Sequence, residues 1–328
     1  MTDPLDTPLP AVILTGFLGA GKTTLLARLL RAPESPRMAV LVNDFGEINL
    51  DAELVTEIAG EDVLALQNGC ICCTIQDDLV GAIETVLAQE PRPERLVIEA
   101  SGVSRPLQIA AVFEDPRLEG RVALDAVLCL VDCGSFADLD AASTDLAMDQ
   151  VAGSDLAILN KCDQAEPAAI DRIEAQLRAQ QPRLHSLRTT RAEIPLDLLT
   201  GLAPARDGLP AADHACGPDC GHGHHHHHHD HAAEFASWSW QGNADMDPAQ
   251  LRKAIRALPQ GLLRGKGVFR GTGGQRLVFD LVGKRRELRT EPGPLPARSS
   301  IVLLARSGVI EPAALEALLE AGRAVPPG

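Results

Sequence analysis

The sequence predicts an α/β domain with a mostly parallel sheet, followed by a smaller α+β domain. In residues 1–202, short apolar segments rich in β-branched residues alternate with helical patterns, which is typical of a parallel sheet covered on both faces. Residues 203–232 hold nine of the ten His and show no apolar periodicity, so we predict a flexible linker there. In residues 233–328, strand-like segments outnumber helices, as in antiparallel sheets with helices on one face.

The individual elements follow from the period of their apolar residues. Runs of strand length predict strands at Val12–Thr15, Met38–Asn43, Val63–Leu66, Arg95–Ile98, Ala126–Val131, Asp155–Leu159, Phe235–Trp240, Leu262–Arg270, Arg276–Val282 and Ser300–Ala305. Helical patterns predict helices at Thr23–Arg31, Ile75–Gln89, Arg105–Phe113, Asp145–Ala152, Pro167–Gln180, Pro248–Leu258 and Pro312–Ala321. Ligands of parallel sheets bind at the carboxyl ends of the strands, so the residues that follow the strands are the candidate site.

Composition argues against nucleic-acid and membrane proteins. Lys and Arg number 30 against 45 Asp and Glu, a net charge of −15, and only 3% of the residues are aromatic, so we expect no nucleic-acid partner. No apolar run reaches the roughly 20 residues of a membrane helix. The first ten residues have no basic and apolar leader pattern, so we expect a cytoplasmic protein whose eight Cys are thiols or metal ligands.

A glycine-rich loop follows the first predicted strand. Residues 16–23 read GFLGAGKT, which matches G-x-x-x-x-G-K-[ST] between a strand and a helix, the setting of a P-loop NTPase. Its backbone N–H groups and the helix N-terminus would hold phosphates, Lys22 would reach the β- and γ-phosphates, and Thr23 would ligate Mg²⁺. The nucleotide-binding residues predicted here are Gly16, Gly19, Ala20, Gly21, Lys22, Thr23 and Thr24.

The tetrapeptide NKCD, residues 160–163, follows the strand Asp155–Leu159. The Asp163 carboxylate would accept hydrogen bonds from the ring N–H and the amine of guanine, which adenine does not offer as a pair, so GTP is favoured over ATP. Asn160 would help to hold the phosphate-loop side, and the stem of Lys161 would lie over the base. Cys162 is predicted to fill space inside this loop.

Two acidic segments are candidates for the rest of the nucleotide site. Glu99 ends the strand Arg95–Ile98, where P-loop enzymes hold Mg²⁺ or its waters; the alternative is a loop or capping acid. Residues 42–49 read VNDFGEIN, a switch-like segment whose Asp44 and Glu47 would contact metal or water; the alternative is two solvated loop acids. The predicted catalytic residues are Lys22, Thr23, Glu99 and Asp44.

Three thiols cluster in GCICC, residues 69–73, just before a predicted helix. Thiols near a helix N-terminus ionise readily, and soft thiolates suit Zn²⁺, Cu⁺ and, less selectively, Co²⁺. Cys70, Cys72 and Cys73 would leave one tetrahedral position open, which fits a metal carrier better than a closed structural site. The alternatives are buried apolar Cys and a redox role for the Cys70/Cys73 pair.

The linker has its own metal-binding character. Residues 214–231 read HACGPDCGHGHHHHHHDH, and imidazole suits Zn, Co, Ni and Cu. We expect exchanging metal complexes here that raise the local metal concentration, with His222, His224, His225 and His226 as candidate ligands. The alternatives are an expression tag and a plain linker. Cys129 and Cys133, in and just after an apolar strand, are predicted to be core residues.

GFLGAGKTT, NDFGE, GCICC, E-x-S-G and NKCD, in this order, resemble the CobW family of P-loop GTPases. RGKG at Arg264–Gly267 resembles a stretch of that family's small C-terminal domain. The resemblance implies a GTP-hydrolysing metallochaperone that uses GTP and Mg²⁺ and carries Zn²⁺, or Co²⁺, to a client metalloprotein. The positions that match the family are Lys22, Thr23, Glu99, Asn160, Asp163, Cys70, Cys72 and Cys73. Family members often carry Glu where this chain has Asp44.

The nucleotide and the metal are expected to be coupled, because the switch segment precedes the thiol cluster and both follow strands of one sheet. Intrinsic hydrolysis should be slow, since no arginine finger is evident. Three other functions remain open: a metal buffer that depends on residues 214–231, an activator of a cobalt or iron enzyme such as nitrile hydratase, and a P-loop kinase, against which NKCD speaks. An oligomer is possible.

Overall fold

The computed structural model describes residues 7–32, 36–42, 63–65, 75–200 and 235–323. By its contacts the chain divides into two compact units, residues 1–201 and 202–328. No helix within the described ranges combines the length and apolar character that crossing a membrane requires.

The first unit is built on a seven-stranded sheet. Its order is β3-β2-β4-β1-β5-β6-β7, and every recorded strand pair is parallel. The strands are β1 (Leu9–Gly16), β2 (Met38–Val42), β3 (Val63–Ala65), β4 (Arg95–Glu99), β5 (Val122–Asp132), β6 (Leu156–Asn160) and β7 (His185–Arg188). The predicted parallel sheet is therefore confirmed, and all its strands end at the same edge.

Helices connect these strands and cover the sheet. They are α1 (Lys22–Arg31), α2 (Ile75–Leu87), α3 (Pro106–Ala110), α4 (Ala141–Ala152), α5 (Pro167–Gln180) and α6 (Asp197–Thr200). Seven of the eight residues of β1 are buried, as expected for a strand covered on both faces. One core cluster joins β1 to α2 through residues such as Ile13 and Ile83. Another joins β5 and β6 to α4 and α5, with Val151 and Ile173 among its members.

The second unit is an antiparallel sheet with two helices. Its five strands run in the order β11-β10-β9-β12-β8. They are β8 (Phe235–Gly242), β9 (Leu262–Arg270), β10 (Arg276–Val282), β11 (Arg285–Glu291) and β12 (Ser299–Arg306), and the helices are α7 (Pro248–Ala257) and α8 (Pro312–Glu320). One core unites the apolar faces of both helices, including Ile255 and Leu315, with the sheet residues Phe269 and Phe279. This arrangement confirms the predicted α+β domain.

Three elements were not predicted. The edge strand β11 reads RRELRTE, with Leu288 as its one apolar residue, so it lacks the alternation that marks a half-buried strand. The edge strand β7 has four residues, and α6 has four. The two edge strands form by pairing with a neighbouring strand rather than through an apolar pattern of their own, and a helix of four residues is too short to show a helical period.

Candidate functional site

The loop between β1 and α1 can be built only with glycine at two of its positions. Gly16 and Gly21 have φ angles of 136° and 102°, which L residues with side chains rarely adopt. A Cβ atom at Gly16 would lie 2.2 Å from the carbonyl oxygen of Leu130, and one at Gly21 would lie 2.4 Å from Nδ2 of Asn160. The loop therefore packs closely against the ends of β5 and β6.

Lys22 begins α1 and is largely buried, with 8% of its surface exposed. Its Nζ donates to the carbonyl oxygens of Gly16, at 2.9 Å, and Phe17, at 3.3 Å. The ammonium is thus held over the loop at the N-terminus of α1. A helix N-terminus together with a fixed positive charge forms a site suited to an anionic phosphate group.

Thr23 and Glu99 meet next to this lysine. The Thr23 hydroxyl donates to Oε1 of Glu99 over 2.7 Å, and only 4% of Glu99 is exposed. A cavity of about 230 Å³ opens here, lined by the glycine loop, by Val42 at the end of β2 and by the segment 99–102. A hydroxyl and a carboxylate are oxygen ligands of the kind Mg²⁺ prefers, so the donor set fits that ion.

The segment after β4 forms one wall of this cavity, and Gln150 of α4 holds it in place. The Gln150 side chain is fully buried and donates to the carbonyl oxygens of Gly102 and Ser104, each at 3.0 Å. A Cβ atom at Gly102 would lie 2.8 Å from the backbone nitrogen of Leu18, so the two loops touch. Sequence reasoning missed Gln150. The sign that could have identified it is a polar residue among the apolar positions on the buried face of a helix.

Asn160 connects the phosphate loop to the loop predicted to read the base. Only 2% of its surface is exposed. Its Nδ2 donates to the carbonyl oxygen of Ala20 over 2.9 Å, and its Oδ1 accepts from the backbone nitrogen of Ala192 over 2.8 Å. One amide side chain therefore fixes the phosphate loop, the end of β6 and the turn after β7 relative to one another.

The other residues of NKCD, 161–163, follow β6 at the same edge of the sheet. Lys161 has a left-handed backbone, with φ 56°, and its Nζ lies 2.7 Å from Oδ2 of Asp132 at the end of β5. Asp163 follows in a 3₁₀ turn and is exposed, so its carboxylate can reach a ligand. Sequence reasoning missed Asp132 and Ala192. Both follow the carboxyl end of a parallel strand, but β7, which positions Ala192, was not predicted.

The three described cysteines differ in their surroundings. Cys129 and Cys133 are buried, with 1% and 4% of their surfaces exposed, as expected for core residues. Burial raises the pKa of Cys129 to about 12. Cys162 packs against the same core cluster, as predicted for a space-filling residue, but it is partly exposed, and its Sγ lies 3.9 Å from that of Cys133.

Several predicted site residues lie outside the described residues. They are Asp44, Glu47, Cys70, Cys72, Cys73, His222, His224, His225 and His226. Within the part of the chain that the structure describes, no group of three or more His, Cys, Asp or Glu is placed to hold a metal ion. The metal-binding residues therefore stay predictions.

Comparison with protein families gives two matches. Residues 10–188 match the model of the CobW/HypB/UreG nucleotide-binding domain, and residues 235–323 match the model of the cobalamin synthesis protein cobW C-terminal domain. The first match covers more than half of the chain and contains the glycine loop, Glu99 and NKCD. The second covers the antiparallel unit from β8 to the residues that follow α8.

Relatives with curated names are similar over part of their length. A zinc chaperone CobW of Pseudomonas aeruginosa is 35% identical over 224 aligned residues, and the match covers 59% of this chain and 60% of the relative. The zinc-regulated GTPase metalloprotein activator 1 of Dictyostelium discoideum is 37% identical over 232 aligned residues, and the match covers 59% of this chain and 49% of the relative. The chain thus spans about half to three fifths of the length of these relatives.

Among solved structures, the zinc-bound YjiA GTPase from E. coli aligns with a TM-score of 0.42 and 22% sequence identity, over 97% of this chain and 100% of that chain. Similarity at this level assigns no function. The fold assignment stands on the strand order and the pairing described above.

Proposed function

Because the chain belongs to the CobW/HypB/UreG family of P-loop GTPases and carries the cobW C-terminal domain, we propose that it is a GTP-hydrolysing metallochaperone. In this proposal it binds Zn²⁺, or alternatively Co²⁺, and passes the ion to a client metalloprotein in a nucleotide-dependent way. The observation that carries the proposal is the hydrogen bond from Thr23 to Glu99 beside the glycine loop. This contact supports the proposal because a hydroxyl and a carboxylate beside the glycine loop are the oxygen donors that a Mg²⁺-bound triphosphate would need.

In this proposal the described residues have separate roles in binding GTP and its Mg²⁺ ion. Lys22 and the loop N–H groups would bind the phosphates, and Asp163 would select guanine through its paired hydrogen bonds. Thr23 and Glu99 would hold Mg²⁺, which when bound offsets the charge that develops on the phosphate oxygens. Asn160 would fix the phosphate-binding loop relative to the base-binding loop, since its side chain hydrogen-bonds to the backbones of Ala20 and Ala192.

The proposed link to the metal rests on strand pairing. In the parallel pair β2–β3, Val42 lies opposite Ala65. The switch segment that contains Asp44 begins at Val42, and the thiols Cys70, Cys72 and Cys73 follow Ala65 within eight residues. Two segments that leave adjacent strand ends start within about 5 Å of each other. This proximity supports coupling between the γ-phosphate and the thiolate-bound ion.

The names of the relatives support zinc as the cargo, because one is called a zinc chaperone and the other a zinc-regulated GTPase metalloprotein activator. Thiolates suit Zn²⁺, and they stay available in the reducing cytoplasm, where we place the protein. We further propose that residues 1–202 carry the GTPase, that the linker 203–232 gathers metal ions, and that residues 233–328 form the second domain.

The test is a zinc titration against a chromophoric chelator, with either GDP or a nonhydrolysable GTP analogue present. We expect the zinc affinity to differ between the two nucleotide states and, by linkage, the nucleotide affinity to change by the same factor on adding zinc. Equal affinities would refute the coupling. Phosphate release from GTP without any acceptor, and not from ATP, would separate a GTPase from a kinase.

Matched variants separate the two metal-binding segments. The triple variant Cys70→Ser, Cys72→Ser and Cys73→Ser is expected to lose tight zinc binding but to keep GTP binding. Deletion of residues 214–231 should lower the number of weakly bound ions and leave the coupling intact. If the deletion abolishes tight binding while the triple variant keeps it, the protein is a metal buffer.

A further inference from the structure

Two thiols lie side by side at the edge of the sheet where the base loop begins. The Sγ atoms of Cys133 and Cys162 are 3.9 Å apart, although the residues are 29 positions apart in sequence. The backbone N–H of Cys133 donates to the carbonyl oxygen of Asn160 over 2.9 Å, and that of Cys162 donates to Thr189 over 3.1 Å. Backbone hydrogen bonds to neighbouring strand ends therefore hold both residues in place.

The two thiols differ in character. Cys133 is buried and Cys162 is partly exposed. The hydrogen bond between the two thiols lowers the pKa of Cys162; a backbone hydrogen bond at Thr189 and the Arg188 guanidinium act in the same direction, while burial and Asp163 oppose them. The same contact and burial raise the pKa of Cys133. An accessible thiolate next to a protonated thiol is the arrangement of an attacking and a resolving cysteine.

We propose that Cys133 and Cys162 are an oxidation site that a hydroperoxide converts into a disulfide. The Cys162 thiolate attacks one peroxide oxygen, the O–O bond breaks, and hydroxide leaves and takes up a proton to form water. The Cys133 thiol then attacks the resulting sulfenic acid, forming the S–S bond and releasing a second water. Overall, two thiols and one H₂O₂ give one disulfide and two H₂O, and a small-molecule dithiol reverses the oxidation.

The disulfide would disturb base recognition; this consequence rests on the proposed function. Bond formation brings the sulfurs from 3.9 Å to about 2.05 Å. Cys133 continues directly from β5, whereas Cys162 begins the short 3₁₀ turn Cys162–Gln164. The turn therefore takes up most of the movement. It carries Asp163, so its carboxylate leaves the position in which it would meet guanine.

Cys129 serves as an internal comparison. It lies on β5, four residues before Cys133, and its Sγ contacts the carbonyl oxygen of Leu130 at 3.8 Å. It is buried, and its pKa is raised to about 12, so it stays a thiol. Indiscriminate oxidation would modify Cys129, Cys133 and Cys162 alike. In the proposed reaction Cys162 is oxidised first and Cys129 is not oxidised.

The experiment treats the full-length protein with a small excess of H₂O₂, followed by alkylation and peptide mass mapping, in parallel with binding of a fluorescent GDP. We expect a Cys133–Cys162 cross-linked peptide and a loss of guanine-nucleotide affinity of about tenfold or more, the effect of losing one charged hydrogen bond. Dithiothreitol should restore the affinity. The variant Cys133→Ala has every other thiol of the wild type. We expect it to bind the nucleotide when reduced and to keep its affinity after peroxide.

Peptide mass mapping alone shows whether the disulfide forms, without any measurement of nucleotide binding. The wild type should form the cross-link, and Cys162→Ser should not. Sulfinic acid at Cys162 without a cross-link, or a peroxide effect that persists in Cys133→Ala, overturns the proposal. Equal nucleotide affinity of the cross-linked and reduced proteins overturns its effect on base recognition. If the reduced wild type binds no guanine nucleotide, the proposed function fails, and the cross-link is still decided by mass.

Discussion

The hydroxyl of Thr23 donates to Oε1 of Glu99 over 2.7 Å, across 76 residues of sequence. The contact arises because β1 and β4 are parallel neighbours in which Leu14 lies opposite Glu99. The strand end and the first turn of α1 therefore face one cavity. An oxygen pair held in this way before any ligand arrives costs little reorganisation when an ion and a phosphate bind.

Replacing Glu99→Gln should keep the contact with Thr23 but remove the negative charge. We expect GTP hydrolysis to fall on the order of 10²-fold, as for the loss of one preorganised electrostatic group, and the Mg²⁺ requirement to rise. The measurement is phosphate release as a function of Mg²⁺. The control is Glu94→Gln, an exposed acid whose Oε1 accepts from the Arg37 backbone at 3.4 Å. Equal losses in both variants would contradict a role for Glu99.

Replacing Asn160→Ala removes two buried hydrogen bonds at once. It leaves the carbonyl of Ala20 and the N–H of Ala192 without their side-chain partner. We expect a loss of about 2–4 kcal/mol in the free energy of unfolding, measured with urea. The exposed neighbour Gln164→Ala should stay within about 0.5 kcal/mol of the wild type. A mild effect of Asn160→Ala would mean that the phosphate loop is held independently of β6.

Replacing Asp163→Asn should change the base preference. The amide can donate to the C2 carbonyl of xanthine, while it offers guanine one acceptor where the carboxylate offered two. We therefore expect GTP affinity to fall by at least about 10²-fold and XTP affinity to rise. Competition with a fluorescent nucleotide measures both. As a control, Asp138→Asn removes an exposed charge elsewhere in this unit and should change neither affinity. An unchanged GTP:XTP ratio in Asp163→Asn would disprove guanine reading by this residue.

The buried ion pair of Arg95 and Asp125 should matter to stability mainly because removing one partner would leave the charge of the other buried and unpaired. Their side chains are 5% and 6% exposed and lie 2.7 Å apart. Arg95→Met alone should cost about 3–5 kcal/mol, and Arg95→Met with Asp125→Leu should recover much of that loss. The exposed pair of Arg121 and Glu84 supplies the control, since breaking it should cost at most about 1 kcal/mol. Urea unfolding of these variants settles the comparison.

Two glycines should respond to alanine in opposite directions. At Gly21 a Cβ atom would meet Nδ2 of Asn160 at 2.4 Å on a backbone with φ 102°, so Gly21→Ala should destabilise the fold and weaken nucleotide binding. At Gly81, inside α2, a Cβ atom meets nothing within 4 Å. Gly81→Ala should therefore raise the free energy of unfolding by about 0.5–1 kcal/mol. Thermal denaturation checks both, and a stabilised Gly21→Ala would show that the loop is more adaptable than its contacts indicate.

Local sequence patterns were sufficient to predict much of the fold of the first unit and the position of its glycine loop. The alternation of apolar runs and helical periods predicted the parallel sheet, and a glycine loop set between a strand and a helix identified Lys22 and Thr23. The position of Asn160 directly after a buried strand predicted its place at the sheet edge. Each of these signals lies within a few residues of the chain, where backbone preference and side-chain period decide the outcome.

The contacts between distant segments were decided only in three dimensions. The edge strands β7 and β11 have too little apolar character to be seen before their neighbours pair with them. Gln150 reaches Gly102 across 48 residues, and Cys133 reaches Cys162 across 29. No local pattern encodes such distances, because they depend on which strands become neighbours in the sheet. The sequence determined which chemical groups the edge would carry, and the strand order β4-β1-β5-β6 determined which of them meet.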